Sequence, residues 1–374
     1  MQGIISLVGA YFFTIKTLEN CELDQRFALL LFIFFPATLL SRTLMSDLPS
    51  LLMISWFLYL MTLNSKSMLH FFSAGILAGA AILFREPNLL LVLPFLVSPF
   101  LKREINNGIY GILGFSIAIG IRLLGSYWAF GDPFFMKDPG VSFSLSFFFN
   151  NLIFYMPFLF LVIPLGGWAV YQYKSRFQIE IQIALLLFVG LYLFYGYNGT
   201  YFSGMKSVVL GPRFLIPSLP LFAICVSKLC EREFKFIKTL LLPFAVISIL
   251  ITQFAGHFYN AAQQEAFLGL ENKINKIHLI AEVNTVPKIF HPSNNGFNFI
   301  YLKDSLLIDQ IILRDTFMYV ETAFRNDTQG AFNFTSKSNS VLEKLLINYK
   351  KEEIIQFTLP DKIVIKQYKI SKLP

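Results

Sequence analysis

In so apolar a chain, ionisable side chains set beside hydrophobic runs are the first candidates for chemistry, because charge at membrane depth is costly and tends to mark function. Four stretches hold them. FFPATLLSRTLMSDLPSLLM carries Arg42 and Asp47 in a polar turn ahead of Pro49, and GILAGAAILFREPNLLLVLPF carries Arg85 and Glu86. RLLGSYWAFGDPFFMKDPG carries Asp132 and Lys137, and GYNGTYFSGMKSVVLGPRFLIPSLPLFAI carries Arg213. A carboxylate such as Asp47 can take a proton from a nucleophile, and guanidinium groups bind phosphate through two parallel hydrogen bonds. Each stretch also has a plainer reading. Asp47 suits a helix N-cap, and Arg85 with Glu86 suits a salt bridge or an interfacial anchor. Asp132 follows an aromatic belt (Tyr127, Trp128, Phe130) in a Gly-Asp-Pro turn, and Arg213 can snorkel to the interface. An Arg near a helix start nevertheless runs against the dipole preference and calls for an anion nearby.

These residues need a scaffold, and the composition indicates which. Of 374 residues, 55% are hydrophobic and 14% charged, and Phe occurs 43 times. A soluble domain carries roughly 25% charged residues. A bilayer-crossing helix needs about 20 mostly apolar residues, and spans are expected near 2–18, 27–44, 48–63, 69–85, 88–101, 108–127, 150–171, 179–196, 210–229 and 237–256. The segment 88–101 is short enough to be tilted or broken. The expected fold is a multi-pass α-helical membrane protein of about 9–10 spans, followed by a small C-terminal α/β extramembrane domain. Residues 1–256 form the membrane domain and 257–374 the extramembrane one.

The net charge of +8 follows the positive-inside pattern rather than nucleic-acid binding, since Lys and Arg cluster in short loops with no basic stripe. Lys66, Lys102, Arg103, Lys174, Arg176, Lys228, Arg232, Lys235 and Lys238, together with Lys16 and Arg26, mark one alternating set of loops, placed in the cytoplasm. Arg42, Asp47, Arg85, Glu86, Asp132, Lys137, Asp138, Lys206 and Arg213 then fall together on the other side, which suggests one cleft there. The expected location is the plasma (inner) membrane, with the C-terminal domain on the non-cytoplasmic side. In that domain IHLIAEVNTV, FMYVETAF and KIVIKQYKI alternate like strands, and SNSVLEKLLINYKKEE reads as an amphipathic helix. Gly75, Ala78, Gly79 and Ala80 permit close helix contact. The three cysteines and four histidines show no metal or disulfide spacing, and sequons at Asn198, Asn326 and Asn333 lie on the outer side.

SRTLMSDLPS, AGAAILFREPNLLLVLPFL, YWAFGDPFFMK and GPRFLIPSLPL, in this order and spacing over roughly residues 1–230, resemble the GT-C superfamily of membrane glycosyltransferases, which includes protein O-mannosyltransferases and aminoarabinose transferases. The resemblance implies a glycosyltransferase. It would move a sugar from a polyprenyl-phosphate carrier to a glycan, lipid or protein acceptor at the non-cytoplasmic face. Asp47 would match the family's second acidic residue, as a catalytic group that also touches a divalent metal (Mg or Mn). Arg213 would match the Arg near the lipid phosphate, with Arg85 and Lys137 as further phosphate or donor contacts. Asp132, Arg42 and Glu86 complete the expected substrate-binding set. The resemblance implies that Met1 falls in what would be the second span. The family's first span and its acid-bearing outer loop are therefore expected to be missing from this sequence, through a misassigned start, a fragment or a degenerate relative. Alternatives are a lipid-linked sugar flippase or transporter, a polysaccharide polymerase or ligase, and an inactive scaffold.

Overall fold

The computed structural model describes residues 2–41, 46–63, 67–131, 133, 143–195, 212–271, 279–281, 299–301, 316–324, 349–358 and 363–372. Its contacts divide the chain into two compact units, Met1–Phe254 and Ala255–Pro374.

The first unit is helical. Helix α1 spans Gln2–Asn20. The segment expected as one span near 27–44 is broken instead. A 3-10 turn at Gln25–Leu29 leads into α2 (Leu30–Ile33) and then, after a bend at Phe34, into α3 (Phe35–Leu40). Pro36 stands at the start of α3 and lacks the N–H that would bond back to the preceding turn. Helix α4 (Asp47–Thr62) tolerates Pro49 because first-turn N–H groups have no intrahelical partner anyway. Helix α5 runs from Met68 to Phe84, with the Ser67 side chain accepting from the Leu69 N–H at its start. It stops at Arg85, which is extended, ahead of Pro87. Helix α6 (Leu89–Leu101) contains Pro94 and Pro99. Helix α7 (Ile105–Phe130) ends at Gly131, whose φ of 71° is the left-handed conformation that favours glycine.

The region near 150–171 is likewise interrupted. Helix α8 (Phe148–Pro157) runs into a π-helical turn at Phe158–Val162, and α9 follows at Gly166–Gln172. Pro164 explains the gap: it cannot donate, and it holds Ile163 extended. The two breaks meet, since Phe34 and Phe35 both pack their rings on Phe158. Next to them lies an apolar cavity of about 420 Å³, lined among others by Ile33, Phe35, Leu161, Pro164 and Leu241. Helix α10 (Gln178–Leu193) and a 3-10 turn at Pro212–Ser218 lead into α11 (Leu219–Arg232). Helix α12 (Ile237–Glu271) begins with Ile237–Phe254 in the first unit. It continues well past residue 256, where the α/β domain was expected to start. Its later residues are rich in Ala, Gln, Glu and Leu, all good helix formers.

Among the described residues four segments are long and apolar enough to cross a membrane: Ile105–Trp128, Leu145–Val162, Pro212–Arg232 and Ile237–Phe254. Shorter apolar helices are Asp47–Thr62, Met68–Phe84, Glu86–Leu101 and Gln178–Leu193. Large apolar side chains such as Leu113, Ile121, Leu124, Leu242 and Leu250 point outward. That surface suits lipid and not water. By contrast, α11 is buried along nearly its whole length.

The glycines of α5 and α7 bring those two backbones into contact. A Cβ on Gly75 would strike the Gly111 carbonyl oxygen, and one on Gly114 would strike the Phe72 carbonyl oxygen. This is the close approach that small residues allow.

The second unit contains a mixed five-stranded sheet in the order β2-β1-β3-β5-β4. Its strands are β1 (Leu279–Ala281), β2 (Phe299–Tyr301), β3 (Thr316–Phe324), β4 (Tyr349–Thr358) and β5 (Ile363–Lys372). Strand β1 pairs in parallel with β2 and β3, while β5 is antiparallel to β3 and β4. The helix expected over 338–353 is therefore corrected at its end, because Tyr349–Glu353 lie on β4. Pairing to β5 sets Glu352 opposite Lys369, an opposite-charge cross-strand pair, and the β-branched Ile354 and Ile355 follow. Residues 338–348 lie outside the described ones.

Candidate functional site

Helix ends gather on two faces of the first unit. On one, Asn20 Nδ2 donates to Thr62 Oγ1 (3.2 Å), and Arg176 Nη1 donates to the Thr62 carbonyl oxygen (3.2 Å). Lys102 pairs with Glu180 at 2.6 Å and Lys238 with Asp24 at 3.1 Å. Asp24 also accepts from Arg26. These hydrogen bonds hold the Asp24 carboxyl well below the usual carboxylate range, with Arg26 as the largest cause.

The opposite helix ends carry the candidate site. Asp47 is the first residue of α4, and its side chain is only 4% exposed. It does not cap its helix: Ser46 occupies the N-cap position, and the Asp47 carboxylate instead accepts from Arg85 Nη1. The interruption between α5 and the 3-10 turn at Glu86–Asn88 is what turns Arg85 inward. The Arg85 guanidinium also lies over the Phe214 ring, 4.7 Å from its centroid, and that of Arg213 lies 5.1 Å from the same centroid. Two guanidinium groups thus lie against one aromatic ring, a favourable contact for each.

Three tyrosines complete the cluster. Tyr192, in the last turn of α10, stacks on Phe214 with centroids 5.0 Å apart, and Tyr195 meets the same ring edge-on at 5.8 Å. Tyr155, from α8, is fully buried. Its hydroxyl and that of Tyr192 lie within electrostatic reach of both Arg85 and Arg213. Asn151 ties α8 to this end of α10. Its Nδ2 faces the carbonyl oxygens of Tyr192, Leu193 and Tyr195 at 3.1, 3.0 and 2.8 Å.

Of the residues singled out from sequence, the fold brings Asp47, Arg85 and Arg213 together. Glu86 is not part of that group: it is exposed and pairs with Arg122 of α7 at 2.7 Å. Arg42, Asp132, Lys137, Asp138 and Lys206 lie outside the described residues. Arg213 does not stand at the start of an α-helix, as the dipole argument required. It lies in the 3-10 turn preceding α11, with its guanidinium against the Phe214 ring.

Several polar contacts in and around the site and on the opposite face carry residues that no sequence motif marked. Arg122 and Glu180 had a usable signal, a lone charge in an apolar run. Tyr155, Tyr192 and Asn151 had none, because membrane helices carry many aromatic and occasional amide residues. Among the described residues no group of three or more His, Cys, Asp and Glu is placed to hold a metal ion. Asp47 is engaged by a guanidinium, so the donors among the described residues do not fit the divalent cation that the family resemblance implies.

No protein family, curated protein or solved structure matches this chain. Its class therefore rests on the fold: an α-helical membrane protein with a buried acid–guanidinium–tyrosine cluster at one set of helix ends.

Proposed function

We propose that this protein is a glycosyltransferase that moves a sugar from a polyprenyl-phosphate donor to a glycan, lipid or protein acceptor on the non-cytoplasmic side of the membrane. One observation carries the reading: Asp47, Arg85 and Arg213, from separate parts of the chain, meet in one buried cluster away from the Lys- and Arg-rich loops. Those loops mark the cytoplasmic side, and the cluster lies at the opposite helix ends, which this reading assigns to the non-cytoplasmic side.

The chemistry follows from the groups present. The guanidiniums of Arg213 and Arg85 bind the donor phosphate. An acceptor hydroxyl oxygen attacks the anomeric carbon, the bond from that carbon to the phosphate oxygen breaks, and its electron pair leaves with the polyprenyl phosphate. Charge growing on the leaving phosphate is stabilised by the same guanidiniums. As Arg85 is drawn to the phosphate, Asp47 is released to take the acceptor's proton. A single displacement inverts the anomeric centre.

The test is transfer from a polyprenyl-phosphate sugar by protein reconstituted in vesicles. Arg213→Ala, purified in folded form, is expected to lose transfer at least tenfold, on the order of one charge-assisted hydrogen bond. Unchanged turnover would remove Arg213 from the site. A second reading, a carrier for a lipid-linked sugar, is favoured by the two interrupted helices that meet at Phe158. The same vesicles separate the two, because a carrier moves the donor across the bilayer without consuming it.

A further inference from the structure

We propose that the hydroxyl groups of Tyr155 and Tyr192 are hydrogen-bond donors to the anionic phosphoryl oxygens of the bound lipid monophosphate, completing the site formed by the two guanidiniums. The inference rests on the reading above and extends it to residues no sequence motif marks.

Both hydroxyl oxygens are buried without a hydrogen-bond partner among the described residues. A buried hydroxyl left unpaired costs free energy, and such groups in native proteins call for an explanation. Here the explanation is local. Tyr155 is 0% exposed and Tyr192 3%, and their rings are held by Phe154 on one side and by Phe188 and Phe214 on the other. They come from different helices, yet both lie in the electrostatic field of Arg85 and Arg213, and Tyr192 stacks on Phe214, the ring that both guanidiniums contact. A guanidinium offers only donors. A hydroxyl that lies near it without accepting from it can donate to the same anion. The occupant that satisfies two guanidiniums and two O–H groups together is a group with several anionic oxygens, as in a phosphate ester.

The experiment compares the wild-type protein in lipid nanodiscs with Tyr155→Phe, Tyr192→Phe and the double variant. The probes are farnesyl phosphate, farnesol and inorganic phosphate, and thermal midpoints are measured without ligand. Wild type is expected to bind farnesyl phosphate more tightly than either other probe. Each Tyr→Phe change should weaken farnesyl phosphate binding about tenfold and leave farnesol binding unchanged. The ligand-free midpoint should hold or rise, because the change removes an unsatisfied polar atom. Equal binding of farnesyl phosphate by wild type and the double variant overturns this inference alone, as it would if ordered water satisfied the hydroxyls. A lowered midpoint with parallel loss of farnesol binding overturns it in favour of a packing role. Failure of the wild type to prefer farnesyl phosphate over farnesol and inorganic phosphate overturns the parent reading, and this one with it.

Discussion

Arg85 donates to Asp47 across the gap between the end of α5 and the start of α4, and the contact buries a full positive and a full negative charge at the same helix ends. The Arg85 side chain is 15% exposed. Neither charge has much water to fall back on, so each depends on the other whether or not a ligand is present.

Removing one partner of such a pair therefore costs more than removing both. Asp47→Ala and Arg85→Ala are each expected to lower stability by about 3 kcal/mol, because an unpaired charge stays buried. The double variant should recover part of that loss. Thermal unfolding of the four proteins in one detergent completes the cycle, and strictly additive losses would show the pair to be uncoupled.

Asn151 is the brace behind Tyr192 and Tyr195. Asn151→Ala strips the donor from three carbonyl oxygens and is expected to cost about 1–3 kcal/mol. Asn151→Asp should be worse, since a carboxylate facing carbonyl oxygens repels them. A more stable Asp variant would mean that the amide does not donate as described. The comparison needs only thermal midpoints at neutral pH.

The glycine contact between α5 and α7 makes a position-specific prediction. Gly75→Ala and Gly114→Ala should destabilise by about 1–3 kcal/mol, because the new methyl meets backbone that must shift. Gly120→Ala and Gly125→Ala place it in open space and should be neutral or slightly stabilising, since Ala is the better helix former. If all four variants unfold together, the packing of these helices differs from the one described.

Asp24 supplies a pH dependence on the other face. Its carboxyl titrates below the ordinary range in the folded protein. Its contribution is thus present above the unfolded-state value near 4 and is lost as pH falls through the lower folded-state one. Arg26 is more than half exposed, which limits the effect to about 1 kcal/mol. Asp24→Asn should lower the unfolding midpoint at pH 7, and the gap to wild type should narrow as the pH drops below 4. A gap that widens on acidification would reverse the sign argued here.

The site was legible where physics made it conspicuous. Asp47, Arg85 and Arg213 stand out because a charge beside an apolar run has few innocent explanations, and the small residues from Gly75 to Ala80 announced close helix contact. The breaks at Phe34 and around Pro164 were written in prolines, but apolar runs of span length masked them: hydropathy measures transfer into lipid and is blind to backbone continuity. Tyr349–Glu353 went wrong for a related reason. The helical period of the residues before them was extended into a segment whose conformation is decided by pairing with β5, a partner remote from any local window. Tyr155 and Tyr192 acquire their meaning from neighbours remote in sequence, such as Arg85, 70 residues from Tyr155 and 107 from Tyr192.

Helix α11 lies at the centre of the membrane unit, in contact with α1, α4 and α9, yet it is among the last helices of that unit to be made. Ribosomal order and spatial order thus run opposite ways. The faces of α1, α4 and α9 that pack on it therefore stay uncovered by it until residues 219–232 are made. Cys225 and Cys230 sit on that late-made helix and are buried in the finished fold. The rate at which they become shielded from a membrane-permeant thiol reagent during synthesis would time its docking.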